Sequence, residues 1–414
     1  MVFGPCSGVR DDLSCELGDR PCPFATAPPV RWTAEPVESA PLAVPLVLTD
    51  LTVRPYDPAS VREVVRILAP VSDGLLVGEH QNRPDLPPTL FAGEVLDAGG
   101  RPWTTLTCRD RNRIVLEQEL VGLGTLGVEG VLCATGDARG QGVRPDVTQV
   151  FDLDGTRLAA LAASLGVPVA VPEAPDAPPV GLRPARVADK QRAGAGLCVL
   201  NHVAAPVRVA EFVASARAAG ATLPFVAAVA VYTDERSARV LQRFPGRRVD
   251  PVAIGAVLAA PDPLAAGIAA AVTEARALRP ARVAAKQRAG ARLCVLNHAS
   301  SPAAVARFVA DAREAGATLP FVAGVAVYTD ERSARVLQAF PGLHLDDAAV
   351  DAVLAAPDPT AAGIAAAVDE ARALLAIPGV VGVNLSGLAS GRGEVAGAEV
   401  KAAIAEEIRP EAGR

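Results

Sequence analysis

From Leu42 onward, short Val- and Leu-rich runs alternate with longer stretches of helical spacing. That alternation predicts βα units and a parallel sheet. The runs predict strands at Leu46–Val53, Gly74–His80, Trp103–Arg109, Gly130–Gly136 and Val167–Val171, each followed by a helix. Asp57-Pro58 opens the first helix, with Asp57 or Ser60 as its cap. The helix over Asn112–Leu126 ends at Gly127, a residue type that terminates helices by turning left-handed.

The next part of the chain occurs twice. Leu182–Ala277 returns as Leu278–Ala373, and VAVYTDERSARVLQ is unchanged between Val229–Gln242 and Val325–Gln338. Each copy predicts two strands, Leu197–Asn201 and Phe225–Tyr232 in the first, Leu293–Asn297 and Phe321–Tyr328 in the second. Helices are predicted at Val207–Ala219, Glu235–Phe244 and Ala265–Ala277, with counterparts in copy two. A last strand at Val380–Leu385 and a closing helix at Val395–Ile408 follow. Both copies together give ten strands, and one copy gives the eight at which a parallel βα sheet closes. The expected fold is therefore α/β, a (βα)8 TIM-type barrel with a tandem duplication of one quarter. Only one copy then fits the wall. The first is expected beside strand five, and the second to be extruded with an exposed apolar face.

Composition narrows the class. Half of the residues are hydrophobic but only 4% are aromatic, so the core is built of small side chains. A net charge of −6 with no basic patch argues against nucleic acid as a partner. No apolar run approaches the ~18 residues of a membrane helix. MVFGPCSGVRDDLSCE lacks the pattern of a secretory signal, and a cytoplasmic protein is expected. Residues 1–26 read as a short irregular cysteine-containing module, 27–43 as a linker, and 44–409 as the barrel with its blocks 182–277 and 278–373. Seven cysteines with Cys6, Cys15 and Cys22 crowded at the start favour a metal module or free thiols over a disulfide framework. Cys108, Cys133, Cys198 and Cys294 sit singly in apolar runs and read as small buried residues. Gly122–Gly127 satisfies GxGxxG but follows a helix, so it reads as helix-end glycines.

In such barrels, function lies at the C-terminal strand ends. Those ends carry Asp50, then Glu79 and His80, then Thr107, Arg109 and Asp110, then Thr135 and Asp137, then Glu173. The copies add Asn201, His202, Thr233 and Asp234, or Asn297, His298, Thr329 and Asp330, and the last strand adds Asn384 and Ser386. This is an acid- and amide-bearing rim with few bases. It suits a ligand rich in donors, such as a pterin or flavin ring, with Glu173 among the substrate-facing residues. Helix capping is the competing role for each of them.

LTCRDRN at Leu106–Asn112, followed by a helix and by GVLCATGD at Gly130–Asp137, resembles the methylenetetrahydrofolate reductase family. VFDLDGTRLAALAASLG at Val150–Gly166, VAVPEAP at Val169–Pro175 and KQRAGA at Lys190–Ala195 extend the resemblance, which runs from Val44 to Arg409. It implies a βα barrel that binds FAD, takes a hydride from NAD(P)H and reduces 5,10-methylenetetrahydrofolate to the 5-methyl form. It implies Asp50 as the proton donor, in place of the family's Glu. Asp137 would lie near flavin and pterin, Thr107 beside the flavin, and Lys190 or Lys286 on a flavin phosphate. Asn201 or Asn297 would bind the folate where the family often has Gln. Thr135 stands where many members have Arg. GPCSGVRDDLSCELGDRPCPF resembles a small cysteine module that accompanies some members, which implies Zn or an Fe–S group at Cys6, Cys15 and Cys22. The departures at Asp50 and Thr135 keep a second reading open, a catalytically altered folate- or flavin-binding relative serving methyl transfer. The expected partners are a folate, a nicotinamide cofactor, and further copies of the chain or a methyltransferase.

Overall fold

A computed structural model of the chain describes residues 2–409, apart from 16–17, 46, 80–83, 140–143, 204, 244–245, 247, 289, 300, 339–344 and 388–392. His80 lies outside the described residues. Strands form at all ten expected places. They are β1 Leu48–Asp50, β2 Gly74–Val77, β3 Pro102–Thr107, β4 Gly130–Ala134, β5 Val169–Glu173, β6 Leu197–Leu200, β7 Phe225–Ala227, β8 Cys294–Leu296, β9 Phe321–Ala326 and β10 Val380–Ser386.

The ten strands do not share one sheet. β1 to β7 form a seven-stranded sheet in chain order, and β8, β9 and β10 form a three-stranded sheet with β9 in the middle. Every pairing is parallel. The chain divides into two compact units, 1–275 and 276–414. The consecutive order in the first unit is that of a barrel wall and lacks the switch point of a doubly wound sheet.

This corrects the expected eight-stranded closure. β10 pairs with β9 of copy two, with Val383 opposite Ala323 and Leu385 opposite Val325. Copy two directly precedes β10 in the chain, so this pairing closes the shorter loop. Copy one does lie beside strand five, with Ala170 opposite Leu197 and Glu173 opposite Leu200. Copy two is built into its own sheet rather than extruded as a loose block, and its exposed apolar residues include Leu293 and, on the open edge strand β8, Val295.

Alternation along the strands separates two faces of the first sheet. Leu106, Val131, Cys133, Val169, Val171, Cys198 and Leu200 pack under the helices, against Leu116, Leu120, Leu158, Val187 and Phe212. Trp103, Leu132, Ala170 and Leu197 form the other face with Leu42, Leu76 and Val199. Trp103 is fully buried. A Cβ added at Gly74 would meet its indole at 2.5 Å, and one at Gly130 would meet it at 2.6 Å. The indole therefore needs glycine on both flanking strands.

Helix ends follow the sequence signals. Asp57 caps Pro58–Leu68 by accepting from the Ser60 N–H at 3.0 Å. Arg113–Leu126 stops at Gly127, whose φ is +71°, so the GxGxxG glycines are helix-end residues. Cys108, Cys133 and Cys198 are buried in the core, and burial pushes the Cys108 and Cys198 thiols up to about 12. Cys294 is only half-buried, on β8. No helix among the described residues is long and apolar enough to cross a membrane.

Candidate functional site

The strand ends of β2, β3 and β4 meet through one carboxylate. Glu79, two residues past β2, accepts from the Thr107 hydroxyl at 2.5 Å and from Arg111 Nη1 at 2.8 Å. Thr107 closes β3 and is buried. Arg109, also buried, donates to the Asp137 carbonyl at 3.2 Å and to Asp110 Oδ2 at 2.9 Å. Arg139 completes this bridge with two bonds to Asp110, at 2.7 and 2.9 Å. Burial pushes the Asp110 carboxyl up, but Arg139 and Arg109 outweigh it and hold it below the usual carboxylate range. Gly136, at φ +88°, lets the turn after β4 approach β3. A Cβ there would meet Thr107 Cβ at 2.9 Å. LTCRDRN and ATGD therefore meet at one place on adjacent strands.

A second cluster sits at the end of β5. Glu173 is buried and faces three cations from one helix, Arg183–Arg192. Lys190 Nζ is 3.0 Å from Oε2, Arg183 Nη1 is 3.3 Å from Oε1, and Arg186 Nη1 is 3.6 Å from Oε1. Arg183, Arg186 and Lys190 are spaced three and four apart, so one helix face carries all of them. Burial raises the Glu173 carboxyl, but the charges of Arg186, Lys190 and Arg183 overcome it and hold it at about 2. Burial also lowers Lys190, and the Glu173 charge only partly restores it. Lys190 additionally donates to the Pro172 carbonyl. The Asn201 N–H donates to the Glu173 carbonyl at 2.8 Å, which fixes the start of the loop after β6.

Asp50 closes β1 and is exposed. Asp137 is half-buried after β4. Lys286 and Asn297 belong to the second unit and are both exposed. Among the described residues copy two has no strand equivalent to β5 paired with β8, so its lysine lacks a counterpart of Glu173. Thr233 and Asp234 cap a helix. Asp234 accepts from the Ser237 N–H at 2.7 Å, and Ser237 Oγ accepts from the Thr233 N–H at 3.1 Å. Asp330 and Ser333 repeat this in copy two at 2.8 Å. His202 and His298 are buried, each pairing through Nε2 with a glutamate of its own block, Glu274 at 2.8 Å and Glu370 at 2.9 Å. Both histidines are thus packing partners of a later helix. His344 lies outside the described residues.

Among the described residues, no three His, Cys, Asp or Glu side chains group to hold a metal, Cys6, Cys15 and Cys22 included. The N-terminal module is tied instead by its backbone. Val9 bridges Cys15, Ser14 bridges Pro21, and the Cys22 N–H donates to the Leu13 carbonyl at 2.7 Å. The Zn or Fe–S expectation therefore finds no grouped ligand set in these residues.

Beyond Arg109 and Lys190, the bases of the site are not marked by strand ends: Arg111 and Arg139 lie in loops, while Arg183 and Arg186 lie on a helix. The RPARVADK spacing was the available signal for the second pair. Residues 5 and 6 are a further neighbour of this cluster. Arg183 Nη1 donates to the Pro5 carbonyl at 3.2 Å and Nη2 to the Cys6 carbonyl at 2.8 Å. Nothing in the composition of residues 1–26 points to that contact.

No family model matches the chain, and no curated protein matches it. Solved structures do. Oxaloacetate acetylhydrolase in complex with 3,3-difluorooxalacetate is 15% identical, with a TM-score of 0.32 over 52% of this chain and 80% of that one. 2,3-Dimethylmalate lyase, a PEP mutase/isocitrate lyase superfamily member, is 12% identical, with a TM-score of 0.32 over 46% of this chain and 66% of that one. An uncharacterized protein from Clostridium thermocellum that binds two copies of 5-methyl-5,6,7,8-tetrahydrofolic acid is 10% identical, with a TM-score of 0.40 over 57% of this chain and 81% of that one. Likenesses at these scores carry no argument for an activity.

Proposed function

We propose that the chain is a methylenetetrahydrofolate reductase-like oxidoreductase whose first unit carries the site. In this reading the seven-stranded sheet is most of a TIM-type barrel wall. The observation that supports it most is the meeting of LTCRDRN and ATGD at the ends of β3 and β4, where Gly136 packs on Thr107 and Arg109 holds the Asp137 carbonyl. The β5 cluster fits the phosphoryl end of a flavin. Three buried cations there face one carboxylate, and Arg186 Nε has no partner among the described residues.

A bound flavin would supply the hydride. The chain's part is to bind, orient and move a proton. Lys190 and Arg186 hold phosphoryl oxygens, Thr107 and Asp137 line the ring, and Asn201 offers its amide to the folate. Asp50, exposed at the end of β1, exchanges protons with solvent and acts as the general acid.

The test is flavin uptake by the full chain, followed by NAD(P)H oxidation with and without 5,10-methylenetetrahydrofolate. Substrate-dependent oxidation that falls about a hundredfold in Asp50→Asn is expected, the scale of a lost general acid. A full chain that takes up no flavin and shows no turnover would sink the reading. One observation favours the binding-only relative, namely that Lys190 is already engaged by Glu173 and Pro172. Folate binding without NAD(P)H oxidation selects that alternative.

A further inference from the structure

The β5 cluster is closed by residues 4–6 of the same chain. Gly4 and Pro5 are buried against it. The Pro5 carbonyl accepts from both Arg183 Nη1 and Arg186 Nη1, and the Cys6 carbonyl accepts from Arg183 Nη2. Ala177 and Pro178 carbonyls take the remaining Arg183 donors, at 2.8 and 2.6 Å. Three cations and one carboxylate are thus buried together, and neutral carbonyl dipoles complete the shell. Carbonyls balance an excess of positive charge less well than an anion does. The contact also leaves Arg186 Nε buried with no partner among the described residues. The strap offers the cluster main-chain oxygens, which any ligand oxygen of similar placement can replace.

Beyond the cluster the strap is held at Val2, Phe3 and Ser7, the last packed so close to Gly246 that a Cβ there would meet Ser7 Cβ at 2.9 Å. The Val2 N–H donates to Asp154 at 3.3 Å and the Val2 carbonyl accepts from Val30 at 2.9 Å. Phe3 rests on Trp32 at 5.4 Å between ring centres, and Arg157 lies 5.7 Å above it. At Gly4 the backbone has φ +125°, and a Cβ would meet Arg186 Cδ at 2.5 Å.

We propose that Val2–Ser7 is a displaceable strap filling an oxyanion site made by Arg183 and Arg186 beside Lys190, its carbonyls standing where phosphoryl oxygens of a ligand bind. The strap is autoinhibitory, because ligand and strap compete for the same donors. The inference rests on the flavin reading for the ligand's identity, and on the cluster's charge for the site itself.

The experiment titrates pyrophosphate into the full chain, Gly4→Val and Phe3→Ala, by calorimetry, and follows amide exchange at Val2–Ser7. Saturating pyrophosphate should raise exchange across Val2–Ser7 in the unaltered chain. Both variants should bind about tenfold more tightly, since a strap closed nine-tenths of the time lowers apparent affinity by roughly that factor. Phe3→Ala acts away from the cluster and keeps the test alive if Gly4→Val does not fold. Adding Arg186→Met should remove the gain. Equal affinity in all three proteins, no binding to any, or binding with Val2–Ser7 still protected would overturn the strap. FAD titration of the same proteins separates the two ideas. Pyrophosphate displacement without FAD uptake by either strap variant leaves the strap and removes the flavin reading. FAD uptake with Val2–Ser7 protected does the reverse.

Discussion

Two lysines in nearly the same local sequence, ADKQRAGA at Ala188–Ala195 and AAKQRAGA at Ala284–Ala291, have opposite surroundings. Lys190 is buried against Glu173, while Lys286 is exposed. Lys190→Met removes one partner from a buried ion cluster, and about 3 kcal/mol of first-unit stability should go with it. Lys286→Met should stay within about 0.5 kcal/mol, as exposed substitutions do. Urea unfolding of both variants measures the contrast, and equal effects would contradict the burial difference. Glu173 adds a pH signature. Its carboxyl titrates at about 2 in the folded chain against 4.5 ordinarily. The folded pKa is the lower one, so the stabilisation is complete above pH ~5 and is lost as pH falls toward ~2, amounting to about 3 kcal/mol. Glu173→Gln should flatten stability across that acid window. The excess of cations left by the substitution also predicts a lower plateau near neutrality.

At the scale of elements, the copies show what neighbours do to one sequence. Gln191 in copy one accepts from the Thr222 and Leu223 N–H groups at 2.6 and 3.0 Å, and Gln287 accepts from Thr318 and Leu319 at 2.7 and 2.9 Å. Local structure is therefore copied with the sequence. Strand length is not. β7 ends at Ala227, whereas β9 continues through Gly324 to Ala326. One cause is β10, which pairs with β9 only. The other is the residue change from Ala228 to Gly324. A Cβ at Gly324 would meet the His298 N–H nitrogen at 2.7 Å, so the tight approach there requires glycine. Gly324→Ala should cost the second unit about 1–3 kcal/mol through overpacking and raise amide exchange at Gly324–Ala326. Ala228→Gly, in a segment already outside a strand, should change stability by less than about 1 kcal/mol. The ten strands were legible from Val/Leu runs because strand formation is a local pattern. Their division into seven and three was not. Pairing is non-local, and the two candidate partners of β10 are nearly the same sequence.

For the whole molecule, the question is which copy the rest of the chain requires. The copies differ at a position that reaches outside the block. Asp189 accepts from Arg31 Nε at 2.7 Å and from the Trp32 N–H at 3.4 Å, and copy two has Ala285 there. The Val37 N–H also donates to the Arg192 carbonyl. Residues 31–37 are thus fitted to copy one. Removing 278–373 joins Ala277 to Leu374 and restores the local sequence found at Ala373–Leu374, so β10 follows β7 as it now follows β9. That shortened chain should fold as one eight-stranded sheet, with Val380–Ser386 protected from amide exchange. Removing 182–277 instead brings Lys286 up to Glu173 but leaves Arg31 facing an alanine. Losing a charged hydrogen-bond partner costs about 1–3 kcal/mol, so the second deletion should be the less stable by that amount. Thermal and urea unfolding of the two deletions decide it. Equal stability would mean that residues 31–37 do not discriminate between the copies. Aggregation of both would mean that the chain needs all ten strands, and that the duplicated block is structural in its own right.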